Sequence, residues 1–252
     1  MMQSVDVGFV FALRQEATGI IDRLLYPRTT RGNGWTFYSG DIELGQAGRR
    51  SAAIVFSDVG QGNAGTATNK LIDVFNPKLI CSAGYAGGLS TLLKKSDVCI
   101  PEQIIRQHDL QTLDISQSIP KNTAPIPNKL TLITVQDVIE TPEQKRELHS
   151  RTAAELADME TFAVAEICCN RDTRFMSIRI VFDAADERIP KDITKILNSV
   201  DKGVLRLAGN IFGSIITRPA IIIDLISLQR RAVAASERLA HFIVKELCRK
   251  EF

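Results

Sequence analysis

The sequence holds no long apolar run, no excess of one charge, and few of the residues that bind metals. Its longest apolar stretch near the C-terminal end, Ala220 to Ile223, is far too short to cross a bilayer. Lys and Arg number 31 against 29 Asp and Glu, a formal net charge of +2. The basic pairs Arg49-Arg50, Lys94-Lys95 and Arg230-Arg231 are scattered, so no nucleic-acid footprint is expected. The three histidines, at 108, 149 and 241, lie far apart, and the five cysteines, at 81, 99, 168, 169 and 248, lack metal-ligand spacing. No metal is expected. The odd cysteine count fits reduced, packed thiols in a cytoplasmic protein. No basic n-region or small-residue cleavage site is seen around Val5, so no secretory signal is expected.

What is present is an ordinary core-forming composition, 44% apolar and 24% charged over 252 residues. Strand and helix patterns alternate, which argues for a single α/β domain over residues 1–252 with a helical extension from about 190. Val5 to Leu13 reads as a central strand buried on both faces. Ala17, Ile20, Ile21 and Leu24 then suggest a helix, with Glu16 just beyond the strand's carboxyl end. From the residues alone Glu16 is a solvated first-turn acid favoured by the helix dipole. Gly34 to Leu44 reads as a hairpin turning at Ser39-Gly40-Asp41.

Ser51 to Phe56 is a further strand, leading through Val59-Gly60-Gln61-Gly62-Asn63-Ala64-Gly65 into a helix that stops at Asn76-Pro77. That loop contains G-x-G-x-x-G, but the next strand, Lys78 to Ser82, ends without the acid that would hold a dinucleotide ribose. A nicotinamide or flavin site is therefore the weaker reading. A tight turn, or a loop approaching a smaller anion or sugar, is the alternative. The small residues Ser82 to Gly88 let backbone pass close to backbone or ligand. Ser96 to Pro101 and Lys129 to Val135 are strand-like, Arg106 to Asn128 is polar and irregular, and Thr141-Pro142 caps a helix.

Glu155 to Glu187 reads as helix, polar connection and strand. Glu160 opens the helix, and Met159, Phe162, Ala163 and Ile167 share one face. In the strand, Met176, Ile178, Ile180 and Phe182 alternate with Ser177, Arg179, Val181 and Asp183. Asp183 thus sits at the carboxyl end, where α/β sheets meet their ligands. Beyond it, Asp192 to Ile216, Ala220 to Leu228 and Val233 to Leu247 read as three helical segments.

Four ordered stretches resemble the nucleoside phosphorylase superfamily, in the branch that includes 5′-methylthioadenosine/S-adenosylhomocysteine nucleosidases. VGFVFALRQEATGI resembles its first strand and glutamate, and SDVGQGNAGTATN its S-G-I-G loop. KLICSAGYAGGL resembles T-G-S-A-G-G-L, and LADMETFAVAEIC with SIRIVFDAADE resembles V-E-M-E and R-x-x-S-D. The resemblance implies a three-layer α/β/α fold around a mixed, mainly parallel sheet, and a homodimer or larger assembly. It implies cleavage by water of the N-glycosidic bond of an adenine nucleoside such as 5′-methylthioadenosine or S-adenosylhomocysteine, without metal or organic cofactor.

Position by position, the resemblance implies Asp183 as the acid acting on the purine and Glu16 as the base for water, with Arg179 helping to hold the water. Glu160 would bind the ribose hydroxyls and Met159 would pack on the sugar. Val59, Gly60, Gly84 and Tyr85 fall in the glycine-rich motifs, Val138 and Ile139 in the base-contacting segment, and Phe182 beside the acid. Two positions depart from the pattern: Tyr85 and Phe182 each replace a serine. With DERIP and the long tail, they are similar to phosphorylase-like members associated with hopanoid synthesis, which act on an adenosyl group. A phosphorylase using phosphate as co-substrate and a non-catalytic nucleoside-binding protein stay open as alternatives.

Overall fold

In the computed structural model, residues 4–32, 34–116, 129–189 and 219–248 are described, with side chains in the last segment from 229 onward. The expected helix Asp192 to Ile216 lies outside them. The described strands form one mixed sheet. Its centre is parallel: β1 (Val7–Phe11) lies between β4 (Arg49–Phe56) and β5 (Leu79–Gly88). On its other side β5 pairs in parallel with β11 (Arg174–Asp183).

Beyond β4 come β3 (Trp35–Glu43) and β2 (Leu24–Gly32), paired antiparallel. This corrects the expected hairpin. Ser39-Gly40-Asp41 continues a strand, because Tyr38, Ser39 and Gly40 each keep partners in β4. Gly40 instead admits the β2 backbone, since a Cβ there would lie 2.6 Å from the Leu25 carbonyl oxygen. Leu24 likewise belongs to β2, the first helix, α1, having closed at Ile21.

Among the described residues, two helices cover each face. On one side α2 (Gln61–Phe75) and α4 (Thr161–Asn170) bury Ala64, Ala67, Leu71, Phe162, Val164 and Ala165 against the sheet. On the other, α1 (Arg14–Ile21) packs with the C-terminal helix α5 (Pro219–Cys248). The two helical segments expected after Pro219 are one continuous helix. Leu239, Ile243 and Leu247 recur every fourth residue on its buried face. Each contributes about 1.5–3 kcal/mol of burial. Contact with α1 is close enough that a Cβ at Gly19 would meet the Ala240 Cβ at 2.8 Å.

Smaller strands complete the sheet. The end of β5 turns to pair antiparallel with β10 (Leu156–Asp158), followed by β9 (Thr131–Thr134), β7 (Gln103–Arg106) and β8 (Thr112–Asp114). The two-residue β6 (Val98–Cys99) pairs with β11. Strand β10 occupies sequence that reads as helix, because Leu156 and Ala157 pair with Gly88 and Gly87. Helix α3 (Pro142–Thr152) starts as its sequence indicates, with Thr141 and Gln144 bonding each other's backbone as a capping box.

Candidate active site

The long strand β5 organises the site. Its pairing with β1 ends at Ser82, opposite Val10, so β1 no longer meets the backbone N–H groups beyond. One of them is claimed by a side chain: Tyr85 N–H donates to Glu16 Oε1 at 2.9 Å. The other oxygen, Oε2, accepts from Leu13 N–H at 2.9 Å. Glu16 is 6% exposed, so the solvated first-turn reading is wrong. Burial raises its pKa, opposed by the Tyr85 and Leu13 N–H groups and by Arg179. Gly84 makes this approach possible, since a Cβ there would stand 2.6 Å from Glu16 Oε1 and 2.8 Å from Arg179 Nη1. Gly84→Ala is expected to keep the fold and lower kcat/KM at least tenfold by pushing these two groups apart, read by kinetics beside a thermal melt.

Arg179 is held by a network absent from the sequence reading. Its Nη2 pairs with Asp158 Oδ2 at 2.8 Å and donates to Ser82 Oγ at 2.7 Å and Thr161 Oγ1 at 2.6 Å. Thr161 passes its hydroxyl hydrogen to Asp158, whose carboxylate also accepts Thr161 N–H at 3.0 Å and Thr134 Oγ–H at 2.9 Å. Asp158 therefore satisfies the opening N–H of α4, although Glu160 is the boundary residue. Glu160 is released to reach across the sheet end, where Oε1 accepts Gly60 N–H at 2.8 Å. The G-x-G-x-x-G loop thus lends its first free N–H to a carboxylate of the chain itself. Gly65 sits in α2 against Ile167 of α4.

Three carboxylates, Glu16, Asp158 and Glu160, thus gather around one guanidinium. They cannot all ionise cheaply. Burial, and next the Asp158 charge, raise the Glu160 pKa from 4.5 to about 8, with Gly60 N–H pulling the other way. Folded chains therefore bind more protons at this group than unfolded ones between those values. Its contribution to stability is present at low pH and falls away as pH rises through about 8. Glu160→Gln keeps an acceptor for Gly60 and removes the charge. Its melting temperature is expected to exceed that of the parent by a few degrees at pH 8.5, about 1 kcal/mol or more, while nucleoside cleavage is lost.

Asp183 ends β11 after a register shift between Val181 and Asp183 that sets it opposite Gly87. Such a bulge re-aims a side chain at a strand's end, and the Asp183 carboxylate lies 3.4 Å from where a Gly87 Cβ would be. Burial raises its pKa, opposed chiefly by Lys145. Lys145, on the inner side of α3 and 1% exposed, donates to Asp183 Oδ2 at 2.5 Å.

The remaining candidates fall around this centre. Met159 and Ile139 each pack against the buried cluster that holds Leu89 and Ala157. Val59 is half-buried just before Gly60, and Val138 half-buried just before Ile139. Tyr85 and Phe182, the two departures, stack on each other with centroids 4.7 Å apart. Both face the α1/α5 layer, where Tyr85 Oη donates to the Ala232 carbonyl at 2.9 Å. The Tyr85 backbone N–H bonds Glu16, while its hydroxyl bonds α5. Among the described residues, no group of three or more His, Cys, Asp or Glu is placed to hold a metal, and no helix is long and apolar enough to cross a membrane.

A family model described as "Phosphorylase superfamily" matches residues 6–131 and 116–211. The chain belongs to the phosphorylase superfamily. Among its relatives is the 5′-methylthioadenosine/S-adenosylhomocysteine nucleosidase of Colwellia psychrerythraea, 25% identical over 242 residues, 84% of this chain and 97% of that one. The nucleosidase of the same name from Pseudoalteromonas translucida is 25% identical over 223 residues, covering 77% and 91%. The fold is shared with futalosine hydrolase of Helicobacter pylori, at TM-score 0.70, 15% identity and 99% of both chains. It is shared too with S-adenosylhomocysteine nucleosidase from Streptococcus pyogenes, at TM-score 0.69, 15% identity, and 100% and 99% coverage.

Proposed function

We propose that this superfamily member hydrolyses the N-glycosidic bond of a purine nucleoside, with adenine nucleosides such as 5′-methylthioadenosine or S-adenosylhomocysteine as the first substrates to try. The observation that carries the reading is the charge of the centre: among the described residues, Glu16, Asp158 and Glu160 share a single guanidinium, and that guanidinium is already bonded to Asp158. A phosphate dianion would enter beside Glu16, whose guanidinium neighbour is already bonded to the Asp158 carboxylate, whereas neutral water would meet no such repulsion. The names of the relatives supply the nucleoside class.

In this reading Glu160 Oε2 and Oε1 bind the ribose hydroxyls, and the local negative charge stabilises the oxocarbenium-like sugar as the bond to the base lengthens. Glu16, beside Arg179 and Gly84, takes a proton from water as it attacks C1′. Asp183 serves the leaving purine at N7. Burial raises its pKa, the direction that favours a proton donor, while Lys145 opposes the rise. Met159 and Ile139 offer the apolar wall for sugar and base. The reading includes a single domain, a homodimer in the cytoplasm, and no cofactor. Purine release measured with and without phosphate tests it: equal rates and a free sugar product are expected, and strict phosphate dependence with a sugar 1-phosphate product would overturn it.

A further inference from the structure

A lysine with its charge fully inside a protein needs a reason, and Lys145 is held by three acceptors at once. Its Nζ donates to Asp183 Oδ2 at 2.5 Å, to the Ala184 carbonyl at 2.6 Å and to the Glu187 carbonyl at 3.0 Å. An ammonium has three hydrogens and a neutral amine only two. Three acceptors therefore describe a protonated Lys145 beside an ionised Asp183. That arrangement leaves the proposed acid without the proton it must give.

We propose that Lys145 is the proton reservoir for the leaving purine, acting through Asp183 as a positioning and relay residue in the hydrolytic reaction proposed above. As the C1′–N9 bond breaks, its electron pair enters the purine ring, and N7 takes a proton from the Asp183 carboxyl. That proton comes from Lys145 Nζ, entering at Oδ2 and reaching N7 after the carboxyl turns about its Cβ–Cγ bond. The water oxygen bonds C1′ and loses a proton to Glu16. Solvent then removes the proton from Glu16 and returns one to Lys145, so nucleoside and water give free sugar and purine. Among the described residues, the other charges facing the pair are Glu187 and Lys95, bonded to each other, and Arg231 of α5, which acts on Glu187. Among these, Lys145 alone donates to the Asp183 carboxylate.

The test compares Lys145→Met and Lys145→Gln with the parent on two substrates between pH 6 and pH 8.5. An adenine nucleoside needs its leaving group protonated, whereas p-nitrophenyl β-D-ribofuranoside leaves as a stabilised anion. Without the reservoir, only Asp183's own proton is available, and it is lost as pH rises. Both variants should lose about 100-fold in kcat/KM on the nucleoside at pH 8.5, with a smaller loss at pH 6. The loss on the nitrophenyl riboside should be under about threefold at either pH. Gln keeps a hydrogen bond to Asp183 without a releasable proton, so it separates relay from mere tethering.

Equal losses on both substrates, no loss on either, or unfolding of both variants would overturn the proposal by assigning Lys145 a structural role. A parent protein that released no purine would instead overturn the hydrolytic reading itself.

Discussion

Asp183→Asn is expected to lower kcat/KM for purine release by about 10²- to 10⁴-fold, the range removed with a general acid. Asn preserves the size of the side chain and an oxygen for Lys145 to bond, so the loss measures proton transfer and not shape. A second effect comes from the same change. Lys145 is 1% exposed and Asp183 16% exposed, so removing the carboxylate leaves a buried ammonium without its counter-charge. Breaking such a pair costs about 3–5 kcal/mol. The variant should melt lower than the parent yet remain folded at room temperature, and should still bind a nucleoside in a titration. Unchanged purine release would remove Asp183 from the reaction. A parent with no activity at all would leave the site as a nucleoside-binding site.

Glu16→Gln is expected to be comparably damaging and to differ from Glu160→Gln in stability. Both oxygens of Glu16 accept backbone N–H groups, one from Leu13 and one from Tyr85. An amide offers one oxygen and one NH₂, so one of those backbone donors must face another donor in a buried place. The cost is about 1–3 kcal/mol. Loss of the base should lower kcat by about 10²- to 10⁴-fold. Melting curves and steady-state kinetics on the same preparation check both effects. Opposite stability changes in the two Glu→Gln variants would follow from relief of charge at Glu160, which accepts one backbone N–H, and from a stranded backbone donor at Glu16, which accepts two.

The legible part of this protein was its periodicity and its ordered motifs. Alternation along Met176, Ile178, Ile180 and Phe182 correctly assigned one face of β11, and those four residues pack toward α1 and α5. Thr141 and Pro142 marked the start of α3, and Asn76 with Pro77 the end of α2. The four motif stretches named the family that the model match establishes. Strand pairing was less legible. Gly40 looks like a turn residue, yet its lack of a Cβ serves close passage of β2. Leu156-Ala157-Asp158 is too short to show a period, and its strand character comes from glycines 87 and 88 on β5.

The site was legible where an acid ended a regular element and opaque where function depends on burial. Glu16 carries no sequence mark separating a solvated acid from one pinned by Tyr85 N–H, because its partner lies 69 positions away. Asp158 stands two residues before Glu160 in the same stretch, and only its pairing with Arg179 reveals its weight. Lys145 lies in a helix rich in charged residues, with Leu148 three positions on as the single hint that this side faces inward. Tyr85 and Phe182 read as two separate departures. In the structure they stack on each other, and Tyr85 Oη donates to the Ala232 carbonyl of α5.

The most direct measurement is a crystal structure of the parent with an uncleavable purine nucleoside analogue. The account predicts the ribose hydroxyls on Glu160, a water or its mimic between C1′ and Glu16, and purine N7 within hydrogen-bond distance of Asp183. A nucleoside bound away from these three acids, or a phosphate ion seated beside Glu16 and Arg179, would contradict it.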